Sequence, residues 1–244
     1  MADSKLLLWD TAAYLRTFDV VLLTETRCVA LPPGLLPDHT ILDVPASAEG
    51  RAGEGLLLAV RRQLRVSVRD WASDADSLWV RLAVPGAPRP LLVGVTYLPP
   101  AGSPQLLHTP LLERFDALEE RVIAAAVEGH VFLAGDFNAR VAGQPADASN
   151  LHGRSLVRLA QRQDLLLCTG RAPGDEAASA TYSRAGAAVS RCVSPMCWSA
   201  RRAFHGWLFL LWTISGATPI ISQSLPCCVS PPWWCSAFRA AARR

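Results

Sequence analysis

The sequence predicts an α/β domain. Three observations carry that reading: apolar runs of strand length recur along the chain, amphipathic stretches of helical period lie between them, and three of the runs end in a polar side chain. With 244 residues, 50% hydrophobic and 18% charged, the chain is long enough to bury a core as one globular unit.

Leu6–Phe18 spaces its apolar residues as a helix does, and Asp19–Leu23 follows as a strand. Leu31–Gly55 is rich in Pro and Gly and predicts a loop that runs into the strand GLLLAV. In Ser77–Val84, Leu78, Val80, Leu82 and Val84 alternate with Trp79, Arg81 and Ala83, which predicts a strand with one face more buried than the other. Leu91–Tyr97 is the next strand. Thr109 and Pro110 then supply a cap and a first helical position, and Leu111, Phe115, Leu118, Val122 and Ala126 form one apolar face, closed by Gly129. After the strand that enters GDFNAR, a second helix around Arg154–Gln163 leads into the strand LLLC. There is no internal repeat and no Gly-rich phosphate loop.

Chemistry concentrates where strands end. Val131–Val141, VFLAGDFNARV, delivers Asp136 and Asn138 into a turn, where two side chains that would otherwise point to opposite faces can converge at the rim of a sheet. A carboxylate there can take a proton from water while an amide holds the water or a phosphate oxygen. In isolation, the same turn is equally the plain end of a strand closed by turn-favouring residues. Two further runs stand beside it: Asp19–Thr26, DVVLLTET, ends in Glu25, and Val93–Gly102, VGVTYLPPAG, presents Tyr97. In this order and spacing the three runs resemble the endonuclease/exonuclease/phosphatase superfamily, which includes exonuclease III, abasic-site endonucleases, pancreatic deoxyribonuclease and inositol polyphosphate 5-phosphatases. Asn150–Arg171, NLHGRSLVRLAQRQDLLLCTGR, and Ala180–Arg191, ATYSRAGAAVSR, are similar to the endonuclease domains of non-LTR retrotransposons. The resemblance covers roughly residues 10–191.

This resemblance implies a sandwich of two β-sheets flanked by helices, with the active site at one end and with the first strand and the C-terminal strands missing. It implies Glu25 as the ligand of a magnesium or manganese ion, a hard cation that prefers oxygen. Asp136 would align or deprotonate the attacking water, Asn138 would hydrogen-bond the reacting phosphate region, and the Tyr97 hydroxyl would donate to the phosphate. The implied reaction is metal-dependent hydrolysis of a DNA phosphodiester. Pro100 stands where abasic-site enzymes carry an Asn, which counts against abasic-site specificity. Hydrolysis of inositol phosphates or lipids is the remaining activity within the same superfamily.

The superfamily's Arg-x-Asp-Tyr segment and Ser-Asp-His triplet do not occur, no Asp or Glu follows Glu176, and His205, in AFHGW, has no adjacent acid. The expected consequence is an incomplete catalytic set and a chain inactive as a nuclease. The alternative expectation is a non-catalytic remnant that binds nucleic acid or is anchored by its tail. Composition changes at the same place: from Cys192 onward the chain holds five of its seven Cys and five of its eight Trp. Residues 1–191 are therefore expected to form a partial domain, and 192–244 a tail that is not a domain, accounted for by a shifted reading frame or a retained intron. A rival reading makes Gly206–Ser222 a membrane segment, although its length is borderline and Pro219 interrupts it. Met1–Asp10 lacks the apolar core of a secretory signal, and a nuclear or cytoplasmic location is implied by the resemblance alone.

A net charge of +3 is not a polybasic signature and the dense basic arms of many chromosomal proteins are not seen; Arg51, Arg61, Arg62, Arg65 and Arg69 could meet a phosphate backbone, although such runs are more often solvated strand edges. Only Cys28 and Cys168 precede the tail, and no Cys spacing suggests a disulfide framework or a zinc site. Nothing in the sequence points to an oligomer.

Overall fold

The computed structural model describes residues 9–47, 54–141, 149–167, 197–199 and 209–213, of which 9–11, 197–199 and 209–213 are described as backbone only. Four layers build the molecule, helix on sheet on sheet on helix. The first sheet contains β1 (Val20–Thr24), β2 (His39–Val44), β3 (Leu56–Arg61) and β10 (Phe209–Thr213) in the order β10-β1-β3-β2, with β1 parallel to β10 and antiparallel to β3. The second contains β4 (Ser67–Asp70), β5 (Ser77–Ala83), β6 (Leu91–Tyr97), β7 (His130–Asp136), β8 (Leu165–Leu167) and β9 (Cys197–Ser199) in the order β4-β5-β6-β7-β9-β8. Its β6 and β7 run parallel, joined by α2 (Gln105–His108) and α3 (Leu111–Glu128), while α4 (Leu151–Arg162) follows β7.

Three hydrophobic clusters hold the layers together. Between the sheets, Val20, Leu22, Leu56 and Leu58 meet Leu78, Val80, Val93 and Val95. Outside the second sheet, Trp79, Leu92 and Leu133 pack under Phe115, Leu118 and Val122 of α3 and Leu156 and Leu159 of α4. Outside the first sheet, Val21, Leu23 and Leu57 pack under Ala12 and Leu15 of α1 (Trp9–Leu15). Strands covered on both faces read as continuous apolar runs, which is why β1, β3 and β6 are buried along nearly their whole length.

The same layering corrects several sequence expectations. On β5 the face of Leu78, Val80 and Leu82 is the more buried one, as expected; on the other face Arg81 and Ala83 are half-buried, and Trp79 is fully buried, because α3 and α4 roof it. The expected loop Leu31–Gly55 contains β2, an edge strand whose half-exposed HTILDV pattern is weak in sequence and is ordered by its ladder to β3. A second edge strand, β4, is exposed along most of its length, so its pattern is equally weak in sequence and it is ordered by its ladder to β5. On α3, Ala125 is buried and Ala126 is exposed. The helix expected from Arg154 begins at Leu151, capped by Asn150.

Arg61 and Arg62 are structural. Arg61 pairs with Asp19 at 2.8 Å and donates to the carbonyls of Arg16 and Phe18, and Arg62 donates to the His39 carbonyl at 3.0 and 3.2 Å. Within the uncharged run proposed as a membrane segment, Phe209–Thr213 is a strand paired with β1, and no described helix is long and apolar enough to cross a membrane. Arg51, Ala180–Arg191 and His205 lie outside the described residues.

Candidate active site

The C-terminal ends of β1, β6 and β7 meet at one end of the sandwich. Parallel pairing sets Tyr97 directly opposite Asp136, and the ladder continues one step further as the Leu98 amide donates to the Asp136 carbonyl at 2.8 Å. Gly135 is required for that pairing: its φ is 148°, and a Cβ there would lie 1.8 Å from the Thr96 carbonyl oxygen. Glu25 follows β1, which packs across the sandwich against β6 and β7. Its segment is held by β3's entry, where the Glu54 and Gly55 carbonyls accept from the Arg27 and Thr26 amides, each at 3.0 Å. Glu25 and Arg27 have φ of 55° and 52°, a sparsely populated region for side-chain-bearing residues that marks a backbone held by its surroundings.

Three ionisable side chains converge there. Tyr97, 8% exposed, hydrogen-bonds Glu25, which is 7% exposed. Burial, then the negative Glu25 and Asp136 carboxylates, push the phenol well above its ordinary range, so Tyr97 stays a protonated donor. Asp136 is raised to about 6, first by burial and further by Glu25, against the lowering effect of the Asn138 amide that donates to its Oδ1 at 2.9 Å. Arg27 Nη2 stands 3.7 Å from Glu25 Oε2, an ion pair too long to be a hydrogen bond, and Glu25 Oε2 is buried without any hydrogen-bond partner.

A buried carboxylate oxygen with no donor, in electrostatic reach of a second carboxylate, fits a hard divalent cation. Magnesium takes one or two carboxylates and completes its shell with water. Among the described residues no group of three His, Cys, Asp or Glu side chains forms a fuller cage.

Of the four residues singled out from sequence, Glu25, Tyr97 and Asp136 are thus brought together. Asn138 is adjacent, but its Nδ2 donates to the Leu98 carbonyl at 2.8 Å and so ties the ends of β6 and β7. The Pro-rich segment after Tyr97 is held from the other side, where His152 Nε2 lies 2.9 Å from the Pro99 carbonyl.

The sequence model of the Endonuclease/Exonuclease/phosphatase family matches residues 3–219, a span that includes both tail strands. The chain belongs to this family. Solved structures agree in fold. The endonuclease domain of TRAS1, a telomere-specific non-LTR retrotransposon, superimposes with a TM-score of 0.56 at 14% identity, over 77% of this chain and 75% of that one. The AP endonuclease LMAP from Leishmania major gives 0.64 at 16% identity, over 91% and 82%. A variant of the 3′ phosphatase NExo from Neisseria, bound to a product DNA hairpin, gives 0.56 at 15% identity, over 79% and 80%. No curated protein matches the chain in sequence.

As a member of the endonuclease/exonuclease/phosphatase family, the chain is built on a scaffold for hydrolysing phosphate esters, and its three strand-end residues stand together at one end of that scaffold. Arg27 and Asn150 were not singled out from sequence. Arg27 has no local signal beyond its place after Glu25; Asn150 has one, an acceptor three residues before Gly153 at a helix start.

Proposed function

We propose that this chain is a divalent-cation and DNA-phosphate binding domain of retroelement endonuclease descent, in which hydrolysis of the phosphodiester is severely impaired. The observation that carries the reading is the buried Oε2 of Glu25, which accepts no hydrogen bond and lies beside Tyr97 and Asp136. Family membership and the fold shared with nucleases and a DNA-bound phosphatase support it.

Glu25 would hold the cation, beside Asp136, whose carboxylate feels the Glu25 charge. When bound, magnesium or manganese polarises the phosphate and neutralises charge on the leaving oxygen. In the cation-free protein Asp136, with a pKa of about 6, is mostly ionised at neutral pH and is a stronger base than an ordinary Asp, which suits proton removal from water. Tyr97 remains a donor, first to Glu25 and then to a phosphate oxygen. Asn138 keeps one Nδ2 hydrogen beyond the bond to Leu98 for the same phosphate.

Impairment follows from the sequence. The chain contains no Ser-Asp-His triplet and no Asp or Glu after Glu176, so the imidazole and carboxylate implied by the superfamily motif lack a counterpart. Loss of such a pair lowers a hydrolytic rate by several orders of magnitude.

Calorimetric titration with Mn²⁺ and nicking of supercoiled plasmid in Mg²⁺ test both halves. The expected result is cation binding that disappears in Glu25→Gln, salt-sensitive DNA binding and almost no nicking. Robust nicking that vanishes in Glu25→Ala and Asp136→Ala overturns the impairment, and a chain that binds no Mn²⁺ overturns the site.

A further inference from the structure

One side chain caps α4 and holds the Asp136–Asn138 turn at the same time. Asn150 Oδ1 accepts from the Gly153 amide at 2.8 Å, closing the first turn of the helix, and from the Arg140 amide at 2.9 Å. Its Nδ2 donates to the Asn138 carbonyl at 2.8 Å, and its own amide donates to the Arg140 carbonyl at 3.3 Å. The two segments are bound in both directions. A Cβ on Gly153 would lie 1.8 Å from the Arg140 carbonyl oxygen, so glycine alone lets α4 start this close to the end of β7.

Asn138 depends on such support. Its φ is 47°, a left-handed conformation that Asn tolerates but does not prefer. From there its amide orients the Asp136 carboxylate and its side chain binds the Leu98 carbonyl, so each polar group of Asn138 on this side of the turn has a fixed partner. Removing the Asn150 donor frees the carbonyl end of that arrangement and lets the turn relax.

We infer that Asn150 is a positioning residue of the phosphodiester site: through the Asn138 carbonyl it holds the turn that aims Asp136 toward Glu25. The inference rests on the proposed reading of that site. It also gives a role to the Asn-x-x-Gly spacing of Asn150 and Gly153. The amide is needed for both functions, because it accepts and donates. An Asp would cap α4 equally well and still accept from Arg140, but it has no hydrogen for the Asn138 carbonyl and would set two acceptors against each other.

Asn150→Asp and Asn150→Ala, made in the full chain, separate the two roles when read by residue-resolved amide hydrogen exchange and Mn²⁺ titration. In Asn150→Asp, exchange at Gly153 and Arg154 should stay within about twofold of wild type, exchange at Asn138 should rise about tenfold, and Mn²⁺ affinity should fall about tenfold, as for other residues that orient metal ligands. Asn150→Ala should accelerate exchange at all three amides. Wild-type exchange at Asn138 in both variants overturns the inference whether or not Mn²⁺ binds, and so does faster exchange with unchanged Mn²⁺ affinity. If the wild-type chain binds no Mn²⁺ while Asn138 exchange still rises in Asn150→Asp, the cation reading fails and the hold on the turn stands.

Discussion

Asp136 is the residue whose environment opposes its own charge. Its pKa of about 6 means that the fold favours the protonated form, so the folded state binds a proton that the unfolded chain has already released between pH 4 and 6. Its stabilising contribution is therefore full below its ordinary value of 3.8 and is lost as pH rises through about 6. Asp136→Asn should stabilise the cation-free protein at pH 7 by on the order of 2 kcal/mol, seen as a higher midpoint in thermal unfolding, and should remove the stabilisation that Mn²⁺ confers on the parent. An unchanged midpoint would show that the carboxylate is better solvated than its surroundings indicate. The buried histidines act in the opposite sense. His39 and His152 are lowered chiefly by burial, so the folded state resists their protonation and stability is lost as pH falls from about 6.5 through their lower folded values. Urea titrations across that range should show a fall in stability that is smaller in His39→Gln. Asn138 shows the limit of reading at this scale: the residue type was legible in GDFNAR, but its bond to the Leu98 carbonyl joins residues forty positions apart.

The β6–β7 pair is the element on which the site depends. Tyr97 and Asp136 face the same point because two parallel strands are in register, and Gly135 permits that register by removing the Cβ that would strike Thr96. Gly135→Ala should therefore destabilise the fold by several kcal/mol and impair Mn²⁺ binding even in the fraction that remains folded. Chemical denaturation followed by titration of the folded protein checks both parts, and a variant of near-parental stability would mean that the strands separate without cost. Strands buried on both faces, such as β1, β3 and β6, were legible because burial demands continuous apolar residues. The edge strands β2 and β4 were not, because a half-exposed strand carries no such demand and is ordered by its neighbour's backbone.

For the whole molecule, the tail strands bear on integrity. Beside β1 lies β10, and β9 stands between β7 and β8, so both sheets extend through residues beyond Arg191. A chain ending at Arg191 should expose the edges of β1 and β7, both rich in apolar residues, and should aggregate or unfold at lower urea than the full chain. Size-exclusion chromatography and urea unfolding of the two chains decide the point. Equal behaviour would show that the tail adds nothing to the fold and would favour its origin in a shifted frame.

By itself the sequence determined the α/β class and the buried strands, and it marked Glu25, Tyr97, Asp136 and Asn138 as polar residues at or just after strand ends, because apolar periodicity and the residues that end strands are local properties of the chain. Only the tertiary structure decided that Glu25 keeps an oxygen without a hydrogen bond, that Asp136 is raised to about 6, that Asn138 faces Leu98 and that Asn150 donates to the Asn138 carbonyl. These are properties of groups distant in sequence and adjacent in space, set by which layers exclude water and which strands lie in register.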